Sequence, residues 1–355
     1  MIGIKQWIKI DPLDTVFFKG SEPMVAGQNH EVRSVFPPMP STIIGAIRTA
    51  ILSQRKIDID QYVRETDRNS TIETRYPLLG TPEIPGFKLV GPLLHAITKR
   101  GKSELFYPSP AHWFADEKKM KNGNAVSVAA AKQISEHIAQ LGITGSVLQP
   151  AWVMRPENGD LKSLSGYWIN APAFQAMKSG KGQLVFCDTV KNVIPENPVI
   201  LKLDAFVINE NRIGIALETG TRRVKEGHLY SSTQMRLNTG VQMIVGFSAE
   251  LIPSHLDPVG VLQLGGELRI SAYHLQSENI PDVFSTGQWA MNLSAFPVKD
   301  LDSMAECCRV SGPLTRMGGW DMKKGFHKPM QAYMPAGSVI KMDQITNLPF
   351  GFIRI

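Results

Sequence analysis

The alternating segments between residues 183 and 251 constrain the fold of this chain most strongly. Runs rich in Val, Ile, Leu and Phe alternate with polar residues and are separated by Gly or Asn, which is typical of β-strands. An earlier strand is expected within residues 4–18, interrupted near Pro12 because proline cannot donate to a sheet. Many strands with few helical patterns predict an α+β protein whose sheets are covered on one face. The later predicted strands are 183–190, 200–208, 212–217, 228–237 and 241–251.

One helix is clearly predicted after the proline-rich residues 36–40. Ser41 or Thr42 is expected as its N-cap, and apolar residues then recur at helical spacing. The other face carries Gly45 and Arg48, and residues 32–57 contain four cations and no acid. A phosphate could therefore bind at the positive N-terminus, with Gly45 allowing close approach. The alternative is that Gly45 serves helix packing and Arg48 is solvated.

Residues 58–182 give a weaker pattern. A second helix is expected at 127–141, and we interpret the region as a long decorated insertion. Its basic runs, 99–102 and 118–121, are interpreted as solvated loop tips, because charge alone is weak evidence for binding.

Length and charge limit the class of protein. The 355 residues suffice for about two domains, and 38 Lys and Arg against 32 Asp and Glu give a net charge of +6, which suits an anionic partner. Cys307 and Cys308 are adjacent, which is poor geometry for a mutual disulfide, so we expect a reducing, cytoplasmic compartment. No signal peptide or membrane-spanning segment is expected.

A predicted hairpin carries the first candidate binding residues. Its tip, residues 218–227, presents Thr221, Arg222, Arg223 and Lys225 between glycines, and such a tip can hold RNA phosphates. The alternative is that Glu218 and Glu226 neutralise these cations and leave a solvated hairpin.

Two glycine-containing segments offer similar chemistry. Gly265 and Gly266 stand beside Arg269 between two predicted strands, without the spacing of a Rossmann fingerprint or a P-loop. Residues 318–329 combine glycines with one tryptophan and several cations, as a nucleic-acid contact requires. The alternative for this second segment is a solvated turn. Its candidate contacts are Trp320, Lys323, Lys324, His327 and Lys328.

These blocks, in this order, resemble the RAMP-superfamily proteins that form the third subunit of the type III-B CRISPR effector, the Cmr complex. Residues 58–182 match least clearly. The blocks that carry the resemblance are 19–23, 40–48, 219–222 with 227–230, 264–267, and 319–321 with 335–339.

The resemblance implies tandem ferredoxin-like (RRM-like) folds with a long insertion, about 58–182, and a protruding β-hairpin thumb. We expect an N-terminal portion at 1–205 and a C-terminal portion at 206–355, and whether the two interleave in the fold is left open. The implied role is non-catalytic: gripping the 5′ tag of the CRISPR RNA in antiviral defence. Implied partners are the large cyclase subunit, the backbone RAMP subunits and, indirectly, target RNA, with no membrane partner and no cofactor.

The expected RNA contacts combine the residue patterns with the resemblance. Arg222 and Arg223 would lie on the thumb, while residues near Ser41 would face the tag. Single-stranded RNA can be held through its backbone and splayed bases. The full set is Lys19, His30, Arg33, Ser41, Thr42, Gly45, Arg48, Thr221, Arg222, Arg223, Lys225, Gly265, Gly266, Arg269, Trp320, Lys323, Lys324, His327 and Lys328.

Two other functions remain open. A metal-independent RAMP endoribonuclease could use His30 as general base, with Lys19 or Arg33 on the scissile phosphate. A purely structural subunit could use aromatic residues in 106–114 to contact protein. No catalytic residue and no metal site is predicted, because the sequence contains neither His-Glu-x-x-His nor Cys-x-x-Cys.

Overall fold

The structure is a computed structural model, and its description covers most of the chain. The described residues are 3–21, 31–66, 75–81, 83–134, 151–154, 160–221, 223–276, 287–304, 307–321, 324–342 and 347–355. At residues 31, 66, 225–229, 302–304, 320, 321 and 327 the description covers the backbone only.

Strands greatly outnumber helices in these residues. The helices are α1 (Pro40–Gln54), α2 (Ile59–Thr66) and α3 (Ala171–Lys178). The first strands are β1 (Gln6–Pro12), β2 (Glu31–Arg33), β3 (Leu89–Ile97), β4 (Ser103–Pro108), β5 (Trp113–Asp116), β6 (Ala125–Ala130), β7 (Lys132–Gln133), β8 (Ala151–Trp152), β9 (Leu161–Ser163) and β10 (Trp168–Asn170). The next are β11 (Gln183–Cys187), β12 (Val199–Leu201), β13 (Val207–Leu217), β14 (Val224–Leu237), β15 (Val241–Phe247), β16 (Val259–Gln263) and β17 (Ile270–Leu275). The last are β18 (Trp289–Asn292), β19 (Phe296–Pro297), β20 (Arg309–Val310), β21 (Thr315–Met317), β22 (Trp320–Asp321), β23 (Phe326–His327), β24 (Gln331–Met334), β25 (Val339–Lys341) and β26 (Phe352–Arg354).

One large sheet organises the protein. Its 12 strands follow the order β16-β17-β1-β15-β3-β4-β10-β12-β11-β6-β5-β9. The predicted N- and C-terminal portions interleave in it, since β15 lies between β1 and β3. A separate three-stranded sheet, β13-β14-β2, forms the hairpin, and residues 287–355 form smaller sheets of their own.

The two faces of the large sheet carry different cores. Leu93 and Leu94 are consecutive in β3, yet they lie in different hydrophobic clusters, as neighbouring residues of a strand should. The first cluster, on the side of Leu94, contains α1 and the base of the β13-β14 hairpin. We call this side the hairpin face. The second cluster, on the side of Leu93, contains α3 and residues from β18, β25 and β26, and we call it the C-terminal face.

Several sequence predictions can be compared with this fold. The strand-rich α+β class is confirmed, and so are α1 and the hairpin. The expectation that the sheets are covered on one face is wrong for the large sheet, because both of its faces pack against hydrophobic clusters. The predicted N-cap is wrong: the helix begins at Pro40, Met39 is the capping position, and no side chain caps it. The reason is that Pro40 already has the backbone angle of a first helical residue.

Residues 58–182 belong to the body of the fold. The predicted helix is wrong over 127–133, where β6 and β7 occur, and residues 135–141 lie outside the described residues. Strand β6 pairs with β11 on one side and with β5 on the other, so sheet pairing overrides the helical pattern of these residues. Six strands of this region enter the large sheet, and β3 and β4 lie well inside it, so it is not merely a surface decoration. No helix among the described residues has the length and apolar character needed to span a membrane.

Candidate nucleic-acid interface

The β13-β14 hairpin is anchored at its base and exposed at its tip. Strand β2 pairs in parallel with β14 through residues 231–233, and Val16 forms a bridge with Met235. Towards the tip, Ile213 is 77% exposed, and Ile215, Leu217 and Val224 are also exposed. The hairpin is therefore supported up to about Arg212 and projects beyond that point.

The tip presents polar and charged groups to solvent. Thr221 and Arg223 are exposed, and the Thr221 hydroxyl donates to Glu218 at 3.0 Å. The backbone closes the turn with a 2.8 Å bond from the Glu218 amide to the Arg223 carbonyl. Arg222 lies outside the described residues, and the side chain of Lys225 is not described. The alternative of a tip neutralised by its glutamates therefore stays open.

An exposed apolar strip accompanies this tip, and the sequence analysis did not predict it. Ile213 and Ile215 occupy alternate positions of β13, so they share one face. The register shifts between Ile215 and Leu217, and Leu217 then pairs with Val224 across the hairpin. On the other face, the ring of Tyr230 lies over Gly214, where any β-carbon would collide with it. The alternation of apolar residues with Gly and Ala in 213–217 was the available sequence signal.

The residues around Lys19 lie beside the hairpin base and contact the segment that precedes α1. Lys19 bridges Ser34, and the Ser34 hydroxyl accepts a 2.9 Å bond from the Phe18 amide. Arg33 lies in β2, paired with Thr233 of the hairpin. The Phe36 ring, which precedes α1, packs against Phe18. Lys19, Arg33 and the segment that begins α1 are thus joined at the hairpin base.

The N-terminus of α1 is open to an anion. Its first turn contains no acid and Met39 provides no side-chain cap. Ser41 is exposed, and Thr42 is half-buried. A β-carbon at Gly45 would meet no described atom within 4 Å, so the interpretation that this glycine serves helix packing is not supported by the described residues.

Arg48 is turned into the protein. Its guanidinium donates to the Tyr62 hydroxyl and to the Thr81 carbonyl, each at 2.5 Å. It also lies 5.9 Å from the centre of the Tyr62 ring. The residue therefore links α1 to α2 and to the following loop, which contradicts the solvated alternative, while a phosphate contact stays a prediction.

The paired glycines serve close packing. The Gly266 amide donates to the Phe17 carbonyl at 2.8 Å. A β-carbon at Gly265 would come within 2.6 Å of that same carbonyl, and its φ of +89° also favours glycine. This loop consequently lies against the residues before Lys19, at the base of the hairpin.

Arg269 belongs to an ion network centred on Asp14. Its guanidinium donates to Asp14 at 3.1 Å, to Gln234 at 2.9 Å and to Glu267 at 3.1 Å. Arg236 of β14 donates to Asp14 at 2.7 Å and also binds Glu210. Hydrogen bonds from Arg236 are the main reason that the pKa values of Asp14 and Glu210 lie below their usual range. Arg269 is thus bound within the protein, because nearby carboxylates compete for it.

Sequence reasoning missed this network. The sequence analysis assigned no binding role to Asp14, Arg212 or Arg236, and of these four residues it named only Arg269 as a candidate contact. The usable signal was the alternation of Glu210 with Arg212, and of Gln234 with Arg236, since each pair faces the same side of its strand.

The C-terminal candidates lie in a different part of the molecule. Strands β22 and β23 form a small hairpin in which the Lys328 amide donates to the Gly319 carbonyl at 2.8 Å. Phe326 is exposed, as are Lys324 and Lys328. Residues 287–355, to which this hairpin belongs, pack on the C-terminal face through β18, β25 and β26.

The predicted contacts therefore form two groups. On the hairpin face, the structure joins Lys19, Arg33, the start of α1, the hairpin and the glycine loop. The second group, residues 320–328, is carried by the unit on the C-terminal face. His30 and Lys323 lie outside the described residues, and the side chains of Trp320 and His327 are not described. Within the described residues, no group of three or more His, Cys, Asp or Glu could hold a metal ion.

Comparison with solved structures defines the class of fold. A chain in a cryo-EM structure of the type III-B Cmr-beta bound to cognate target RNA and AMPPnP matches with a TM-score of 0.51 and 18% identity, over 96% of this chain and 90% of that chain. A second Cmr-beta structure, bound to cognate target RNA, matches with a TM-score of 0.51 and 19% identity over the same shares. A type III-A Csm3-Csm4 subcomplex gives a TM-score of 0.42 at 13% identity, over 99% of this chain and 97% of that chain. The protein thus has the mixed α+β, strand-rich fold of a Cmr-beta chain.

The family follows from the sequence itself. The profile of the CRISPR-associated protein family Cas_Cmr3 matches residues 8–292, so the chain belongs to that family. A comparison with curated protein sequences found no match. Family and fold together support a component of a type III CRISPR effector.

Proposed function

We propose that the protein is the third subunit of a type III-B effector and that it binds RNA without cutting it. Its hairpin face would grip the 5′ tag of the CRISPR RNA, and it would dock beside the large cyclase subunit. It would act in the cytoplasm, in antiviral defence. Tandem ferredoxin-like units, with the β13-β14 hairpin as the thumb, are part of the same proposal.

One observation carries the proposal: a hairpin that exposes Arg223 at its tip is anchored at its base by residues 31–36, which lead directly into the uncapped, acid-free N-terminus of α1. Peptide dipoles give a helix N-terminus a partial positive charge, and its first N–H groups point outwards. A phosphate at this position would bind the Ser41 amide, because Pro40 has no N–H and the Thr42 amide already donates to the Met39 carbonyl at 3.0 Å. Lys19 and Arg33, at the base of the hairpin, add charge nearby.

The hairpin complements that anion site. Arg223 at the exposed tip offers a planar, multiply donating cation, which suits phosphate oxygens. The apolar strip formed by Ile213, Ile215 and Leu217 offers a surface for bases. Single-stranded RNA exposes its bases as well as its backbone, so one projecting element can contact both.

The C-terminal hairpin stays a separate prediction. Phe326 with Lys324 and Lys328 has the chemistry of a nucleic-acid contact, but the unit that carries it packs on the other face of the sheet. If it binds RNA, we expect it to contact nucleotides other than those at the α1 N-terminus.

The test removes the tip cations. Arg222→Ala with Arg223→Ala should weaken binding of tag RNA and reduce the slope of log affinity against log salt by about 1.4, which corresponds to two lost contacts with single-stranded RNA. The matched control is Lys118→Ala with Lys119→Ala. It removes the same charge from two highly exposed lysines that follow β5, near the opposite edge of the sheet.

The two variants separate specific grip from net charge. If both pairs change the salt slope equally, the binding is nonspecific and the proposed grip is wrong. Gels of the same reactions, in EDTA and in magnesium, should show intact RNA. Site-specific cuts that disappear in His30→Ala would contradict the non-catalytic role.

A further inference from the structure

We propose that Asp14 is a positioning residue: it fixes the angle of the β13-β14 hairpin against the large sheet and thereby sets RNA affinity. The inference rests on the proposed function for its RNA part only. Asp14 lies in the bend that follows β1, two residues after Pro12, and the Leu13 amide beside it donates to the Ile270 carbonyl of β17 at 3.1 Å. The groups that bind it come mainly from the hairpin.

Three arginines from three elements converge on this one carboxylate. Arg236 of β14 binds Oδ1 at 2.7 Å, whereas Arg269 of the glycine loop binds Oδ2 at 3.1 Å. Arg212 of β13 lies 3.7 Å from Oδ2. Both strands of the hairpin and the loop between β16 and β17 are therefore tied to the bend that follows β1.

A second layer of contacts restrains the same arginines. Glu210 binds Arg236, and Glu267 accepts from Arg269 at 3.1 Å. Beneath them, the buried Thr15 hydroxyl donates to Gln234 at 2.6 Å and accepts from Arg212 at 3.1 Å. Isolated surface ion pairs contribute little, but a connected network with buried members restrains orientation more strongly than its separate pairs do.

The charges in this network balance, which argues against direct RNA binding. Three arginines meet three carboxylates, those of Asp14, Glu210 and Glu267. Arg269 is only 19% exposed, so its guanidinium is largely withdrawn from solvent. A phosphate would have to displace an internal carboxylate before it could bind here.

The network lies at the base of the hairpin, where a small change of angle produces a larger displacement of the tip. It lies at residues 210–212 and 234–236, beside the β2 pairing and before the exposed part begins. From Arg212 to Leu217 the strand extends roughly 17 Å at the usual rise per residue. A small change of angle at the base therefore moves the tip by several times the displacement at Asp14.

The experiment measures hairpin orientation without RNA. Spin labels at Ile213→Cys and Val259→Cys, both exposed, with Cys307→Ser, report one distance between hairpin and sheet by pulsed EPR. We expect a single distribution in the otherwise native protein and a broader or shifted one in Asp14→Asn. Asp257→Asn, which removes an equal charge from the exposed pair with Arg55, should leave it unchanged.

The same variants are then tested with tag RNA. Asp14→Asn should lose affinity about fivefold or more, a typical coupling between sites, even though it makes the protein more positive. Asp14→Glu keeps the carboxylate and should restore much of both the distance and the affinity. If Asp14→Asn does not fold, Glu210→Gln removes one outer acceptor and should broaden the distribution in the same direction.

The outcomes are distinguishable. An unchanged distance in a folded Asp14→Asn protein overturns the inference. A broadened distance with affinity equal to or above that of Asp257→Asn overturns it too, because the arginines would then contact RNA themselves. If removing Arg222 and Arg223 fails to weaken binding, the proposed function falls, while the RNA-free distance still decides whether Asp14 holds the hairpin.

Discussion

Different interactions hold the hairpin and the C-terminal unit to the two faces of the large sheet. On the hairpin face, a partly exposed ion network around Asp14 orients a projecting hairpin. On the C-terminal face, buried side chains attach residues 287–355, and the ring of His112 stacks on Trp289 with 5.0 Å between ring centres. Polar contacts fix the orientation of an element but contribute little to stability. Buried apolar contacts contribute more, and we call those that join residues 287–355 to the C-terminal face the seam.

This difference indicates that the hairpin and the C-terminal unit have different roles. The hairpin extends beyond its support and exposes both charge and apolar surface, as a binding element requires. The C-terminal unit is packed by Met291, Val339 and Ile353, all of which are buried. We therefore expect mutations of the buried contacts of the C-terminal unit to act on stability, and mutations of the ion network and the hairpin tip to act on orientation and binding.

The largest effect is expected from Trp289→Ala. It removes a buried ring from the seam, and the free energy of unfolding should fall by about 3–5 kcal/mol, as for other core aromatic deletions. Urea unfolding followed by circular dichroism measures it. Trp152→Ala is the control, because that ring is 52% exposed, and a change within about 0.5 kcal/mol is expected. Equal losses in both variants would remove the contrast between seam and surface.

Acid should weaken the same seam through His112. Burial lowers the pKa of His112 to about 3, compared with about 6.5 for an unfolded chain. The unfolded state therefore binds the proton first. Stability attributable to this residue is complete above pH 6.5 and is lost as pH falls towards 3, by up to about 1.4 kcal/mol per pH unit.

The variant His112→Phe isolates this contribution. It keeps a ring against Trp289 but cannot be protonated, so its stability should fall less steeply between pH 6.5 and 4 than that of the native protein. Carboxylates elsewhere titrate equally in both proteins and cancel in the comparison. Identical slopes would show that His112 is not buried as the structure has it.

The smallest stability effect is expected on the hairpin face. Asp14→Asn should change the free energy of unfolding by less than about 1 kcal/mol, because the carboxylate is nearly half exposed. The same substitution should alter the hairpin distance clearly. A large loss of stability with an unaltered distance would reverse the comparison of the two faces.

The sequence predicted local elements better than their arrangement. Alternation in 212–217 and 228–237 and the apolar spacing in 43–51 predicted the hairpin and α1, and the structure extends the hairpin strands to Val207–Leu217 and Val224–Leu237. The strand predicted at 200–208 is wrong as a single element, because β12 ends at Leu201 and Val207 begins β13. The pattern in 127–133 misled, because β6 pairs with β11 and β5 in a way that no local signal encodes. The paired glycines 265 and 266 were noticed correctly but for the wrong reason: they accommodate the Phe17 carbonyl.

The candidate site shows the same limit. Cations such as Arg48 and Arg269 look free in a sequence, but both find acceptors from distant parts of the chain, on Thr81 and Asp14. Local sequence patterns also do not reveal that the candidate binding residues lie on two faces of the sheet, because this depends on the side of β3 on which each unit packs. Among the candidate side chains that the structure describes, those that remain exposed are Arg33, Ser41, Thr221, Arg223, Lys324 and Lys328.

The central claim is that the tag of the CRISPR RNA lies on the hairpin face. Photo-crosslinking of tag RNA to the assembled complex, followed by mass spectrometry of the adducts, tests it most directly. The account predicts adducts near residues 19, 33, 41–45 and 213–224. Adducts confined to residues 318–330, on the unit that packs against the other face, would contradict it.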